Sequence, residues 1–133
     1  MAIELRNSDL LPAPQGFTHA SIADPGKIVH FAGQIGSHAD GTFPDGLAAQ
    51  VTQALANVVD ALPAADAGPE HLAKMVIYIV GWRESMQGEL VEGLITAGTK
   101  TRLPQVPITL IGVQSLFLDA ALVEVEATAV VPA

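Results

Sequence analysis

The chain has no cysteine, so neither a disulfide framework nor a thiol nucleophile is open to it. That absence agrees with a reducing compartment. Charge is scarce as well: Asp, Glu, Lys and Arg make up 15% of 133 residues, against about 25% in an ordinary soluble chain. Hydrophobic residues make up 50%. A chain with so little charge hides apolar surface, and copies of itself are the simplest cover. Basic residues are the scarcest charges, 6 against 14 acidic, for a net charge of −8. No basic stripe interrupts that balance, so nucleic acid is excluded as a partner. No uncharged apolar run approaches the length of a membrane span. Glu4, Arg6 and Asp9 stand where a signal peptide would carry its apolar segment, and a cytoplasmic protein is expected. There is no glycine-rich phosphate loop, no Gly-x-Ser-x-Gly and no dinucleotide fingerprint. His30, His38 and His71 are scattered without metal-ligand spacing, so neither a metal nor a cofactor is expected.

What remains is one domain over residues 1–133. Ile3-Glu4-Leu5 suits a short edge strand. Thr18–Ala23 and Lys27–Gln34 form a predicted hairpin across Asp24-Pro25-Gly26, a tripeptide with turn residues in turn positions. Leu47, Val51, Leu55, Val58 and Leu62 recur at helical spacing, with Gln50, Gln53, Asn57 and Asp60 on the other side. Pro63 ends that helix. Met75–Val80 is a continuous apolar run, the pattern of a strand buried on both faces. Arg83–Thr99 is a second helix with Met86, Leu90 and Leu94 as its stripe, weakened by Gly88 and Gly93. Ile108–Gln114 is the next strand. Leu122–Val131 alternates cleanly, with Val123, Val125, Ala127, Ala129 and Val131 on one face and Leu122, Glu124, Glu126 and Thr128 on the other. The order β-β-α-β-α-β-β defines an α+β chain with two helices on one face of a single sheet.

Three blocks lie on that order: Gly16-Phe17-Thr18-His19-Ala20, Phe31-Ala32-Gly33-Gln34-Ile35-Gly36 and Leu122–Ala129. Gln50–Asn57 adds a fourth. Together they resemble the Rid, or YjgF, family of reactive intermediate deaminases. The resemblance implies a chorismate-mutase-like homotrimer that hydrolyses enamines and imines of small molecules at clefts between subunits.

The family's substrate-binding arginine follows a proline at the entry to a strand. Counting back from Gly112 and Leu116 puts Ile108 at that position, with Thr109 beside it, and neither offers a carboxylate the bidentate pair of a guanidinium. Arg102, upstream on a proline-bounded loop, is a candidate substitute or a solvated arginine. Phe17 stands where many members have tyrosine, and Ala32 replaces the serine of Ser-Gly-Gln. The implied pocket is apolar and suits a less polar ligand. Gly33 permits close backbone approach, its N–H is a candidate for polarising a carbonyl or imine, and Gln34 is a candidate ligand contact.

Glu124 matches the family's cleft glutamate. Glu124 and Glu126 share a strand face roughly 7 Å apart, and repulsion with desolvation favours one proton between them. Read without the family, both are equally well solvated surface glutamates. His19 is a candidate proton shuttle.

These residues lead to a divergent member acting on a small imine, enamine or carbonyl compound through Glu124. Two other readings stay open: a non-catalytic ligand-binding or regulatory trimer, and the usual deaminase with Arg102 as its arginine.

Overall fold

The computed structural model describes residues 3–133. Its centre is the strand whose alternation is cleanest. β6 (Val123–Pro132) buries Val123, Val125, Ala127 and Ala129 and leaves the residues between them half-buried. A long strand with one covered face is what that period demands. β6 pairs antiparallel with β3 (Gly26–Ile35) on one side and β4 (Leu72–Val80) on the other. β5 (Ile108–Val113) lies parallel to β4, so the sheet order is β3-β6-β4-β5.

Since β3 and β4 both oppose β6, they are parallel to each other, and parallel strands need crossovers. α1 (Leu47–Ala61) supplies the first, between β3 and β4. α2 (Gln87–Thr101) supplies the second, between β4 and β5. Val51, Ala54, Leu55 and Val58 of α1 join Leu90 and Ala97 of α2 and Met75, Ile77, Ile79, Val123, Val125 and Ala127 of the sheet in one core. The protein is α+β, with both helices on one face of a mixed sheet.

The predicted hairpin between the second and third strands does not form. β2 (Ala20–Ala23) pairs instead with β1 (Ile3–Arg6), as a two-stranded ribbon separate from the main sheet. Ser21 Oγ donates to the carbonyl of Ala73 at 2.6 Å, which holds the ribbon at the start of β4. β3 meanwhile pairs with β6, whose ten residues offer a longer ladder than β2's four. Asp24 and Pro25 redirect the chain between two layers rather than turning it back within one.

β4 also differs from its sequence pattern. Met75, Ile77 and Ile79 are buried, while Val76, Tyr78 and Val80 are only half-buried because no helix covers their face. The polar side of α1 is not simply solvated either: Gln50 is 3% exposed.

Gly93 explains itself in the packing. A Cβ built there would lie 2.6 Å from Val51 Cβ and 2.7 Å from the Ala48 carbonyl oxygen. The helices cross where only glycine fits, and both obstructing atoms belong to or adjoin the α1 backbone. Gly93→Ala should therefore destabilise the fold by about 1–3 kcal/mol, despite alanine's better helix propensity. Urea unfolding checks this: an unchanged or higher midpoint would mean that the helices separate at no cost.

Candidate functional site

The uncovered sheet face carries the chemistry. On it, register places Glu124 beside Tyr78 and Tyr78 beside Ile111 in one row. The next row is Glu126, Val76 and Thr109. Lys74 lies one row further, paired with Thr128, which on its other side pairs with His30.

The Tyr78 hydroxyl donates to Glu126 Oε1 across the two rows. This bond, then desolvation, then the negative charges of Glu126 and Glu124, hold the phenol above the ordinary tyrosine range. Tyr78 is thus a donor at every physiological pH. Among the described residues Glu124's carboxylate has no such partner.

β3 approaches Glu124 through an irregularity. Its pairing with β6 shifts between Phe31 and Gln34, so Ala32 and Gly33 form a bulge. A Cβ on Gly33 would lie 2.6 Å from Glu124 Cδ and 2.9 Å from its Oε1. The carboxylate lies directly against the Gly33 backbone, in space that any other residue would fill. Gln34 Nε2 donates to the Ala32 carbonyl at 3.2 Å, bracing the bulge.

α1 holds both sides of this contact. Asn57 Nδ2 donates to the carbonyls of Ile35 and Ser37, each at 2.8 Å, and fixes the end of β3. Gln53 Nε2 orients Asn57 through its Oδ1 at 2.9 Å. Gln50 Oε1 accepts from Leu122 N–H at 2.9 Å while its Nε2 donates to Ala120 O at 3.0 Å, fixing the entry to β6. Gln50, Gln53 and Asn57 are therefore internal ties that set the Gly33–Glu124 approach.

The other predicted site residues lie elsewhere. Ile108, expected at the position of the family's arginine, faces the helices: it pairs with the buried Met75 and packs on the core. Thr109 is the residue on the glutamate face, because neighbours in a strand point oppositely. Ile108 instead lines a groove of about 620 Å³ with Gly16, Leu55, Val91 and Leu94, beside α2. Phe17 and His19 belong to the loop between β1 and β2, their rings 6.2 Å apart edge to face. His19 Nδ1 accepts from Ser8 N–H and its own N–H donates to Asn7 Oδ1, both at 3.0 Å. These bonds brace the loop, and none connects it to Glu124. Arg102 caps α2 in the left-handed conformation, φ 55°, with its side chain exposed. Among the described residues no cluster of His, Asp or Glu could hold a metal ion. Nor is any of their helices long and apolar enough to cross a membrane.

Tyr78 is the residue that sequence reading missed. Its signal was present: it is the single tyrosine, set inside an otherwise aliphatic run.

A mixed sheet with two helices on one face and a glutamate on the other defines a class of small α+β proteins. Residues 9–131 match the family model described as Endoribonuclease L-PSP, and the chain belongs to that family, the Rid/YjgF proteins. A Rid protein of unknown function from Yersinia pestis is similar, at 29% identity and a TM-score of 0.84, with 98% of this chain and 100% of that one covered. A Mycobacterium tuberculosis member of the YjgF family is 27% identical, with a TM-score of 0.62 and coverage of 98% and 100%. The Escherichia coli YjgF gene product is 22% identical, with a TM-score of 0.69 and coverage of 96% and 98%. No curated protein matches the chain.

Proposed function

We propose that this protein is a divergent Rid-family enzyme that hydrolyses a small imine or enamine, or acts on a related carbonyl compound, at a cleft between subunits. The observation that carries the reading is the unpartnered Glu124 carboxylate lying against Gly33. Glu124 takes a proton from water as the water oxygen adds to the C=N carbon. It returns that proton to the nitrogen to give a carbinolamine, then carries the hydroxyl proton to the nitrogen as the C–N bond breaks, releasing ammonia and the carbonyl product. The Gly33 N–H is the group we assign to polarising the reacting group.

The substrate carries no carboxylate at the family's usual place, since Thr109, Ile111 and Val113 are the β5 residues on this face and none is cationic. Self-association is supported by what the single subunit leaves uncovered. Ile28, Ile111 and Phe117 are 68%, 42% and 97% exposed, and the first two lie on the glutamate face. A homotrimer in the cytoplasm is the assembly we propose. The family description mentions an endoribonuclease, but a net charge of −8 argues against an RNA substrate.

The test is release of carbonyl product from freshly generated imines, 2-iminopropionate beside an imine of benzaldehyde. Acceleration is expected for the carboxylate-free imine. Arg102→Ala should change that rate by less than about twofold, the usual scale for an exposed charge away from the chemistry. If 2-iminopropionate is preferred and Arg102→Ala abolishes its hydrolysis, the arginine has moved and the chain is a deaminase of the ordinary kind.

A further inference from the structure

Two carboxylates on alternate residues of one strand face compete for the same protons and the same space. Here that symmetry is broken by one hydroxyl group. Tyr78 stands in register with Glu124, yet its O–H reaches diagonally to Glu126. This bond occupies Glu126 Oε1 and ties its side chain to the Tyr78 hydroxyl. Glu124 is left free, beside Gly33 of β3, which has no side chain to obstruct it.

We propose that Tyr78 is the positioning residue of this site, clamping Glu126 so that Glu124 alone handles the proton. The inference rests on the hydrolytic reading above for its consequence, though not for the clamp itself. Tyr78 also supplies a phenol on this face in a chain that has phenylalanine at position 17 and alanine at position 32. The role differs from that of a catalytic group, because the hydroxyl's hydrogen is already committed to Glu126. Val76 and Val80 flank Tyr78 on the same face of β4.

The chain has one tyrosine, so its ionisation can be followed directly by ultraviolet absorbance. The charged and titratable groups sharing the face are Glu124 and Glu126 on β6, Lys74 on β4 and His30 on β3. β5 contributes only Thr109, Ile111 and Val113. In the wild-type protein the phenol should ionise above the ordinary tyrosine range. Glu126→Gln should bring its midpoint down, and Glu124→Gln should move it less, since Glu126 is both the hydrogen-bond partner and the stronger charge.

Kinetics separate positioning from mere packing. Tyr78→Phe should lower kcat by about 10²-fold, the scale of a misplaced catalytic group, with KM nearly unchanged. Glu126→Gln keeps an acceptor for the phenol and Glu126→Ala removes the competing carboxylate, so each should retain most of kcat, and Glu126→Ala should restore the rate lost in Tyr78→Phe. An ordinary phenol midpoint in the wild type overturns the proposal. So does a Tyr78→Phe enzyme as fast as the wild type. A wild type that hydrolyses no imine, but whose phenol responds to Glu126→Gln as described, upholds the clamp and overturns only the reaction proposed above.

Discussion

Glu124→Gln should lower kcat for imine hydrolysis by about 10²–10³-fold, within the range a positioned general base contributes. The substitution keeps the shape of the side chain and removes its capacity to carry a proton. Glu124 points away from the core, into the half-exposed face of β6, so the fold has no stake in its charge. The melting temperature should stay within a few degrees of the wild type, about what a surface change below 1 kcal/mol allows. KM should change little if the group acts only as the bond to water forms. The same variant separates an enzyme from a non-catalytic binder. A binder would keep its ligand and show no rate to lose. Loss of rate with unaltered stability supports the enzyme; a Glu124→Gln protein as active as the wild type would remove the carboxylate from the mechanism altogether.

How far the sequence reached depends on the range of the signal. β6 and α1 were legible because each buries one face, and burial writes its period into the chain. The Gly33–Glu124 approach was only half legible. Both residues fell in recognisable blocks, but nothing local says that two segments about ninety residues apart touch. The β2–β3 hairpin misled because Asp24-Pro25-Gly26 reports a change of direction and not a pairing partner, which β1 and β6 decide from a distance. Ile108 was misplaced by a single residue, and in a strand a slip of one moves a side chain to the opposite face. Gln50 and Asn57 read as solvent-facing because a polar residue that satisfies internal carbonyls has the composition of one that meets water. Tyr78 lay hidden in an apolar run for the same reason: its ring belongs to the strand, and only its hydroxyl belongs to the site.

Gly33→Ala should cost about as much activity as removing the Glu124 carboxylate, and little stability. The added methyl would lie 2.7 Å from Glu124 Cγ and 2.6 Å from its Cδ, too close for any real contact. What it meets is the outer part of a flexible side chain, so Glu124 turns away while β3 and the bulge remain as they are. That cost is a changed rotamer, on the order of 1 kcal/mol or less. The carboxylate then no longer lies against the Gly33 backbone, and a displacement of about 1 Å is enough to lose about 10²-fold in rate. A double variant decides whether glycine acts through the glutamate or independently of it. If the two residues form one device, Gly33→Ala in a Glu124→Gln background costs almost nothing further, since the displaced group no longer carries the proton. Full additivity would mean that the Gly33 backbone polarises the substrate by itself and that its closeness to Glu124 serves only the packing.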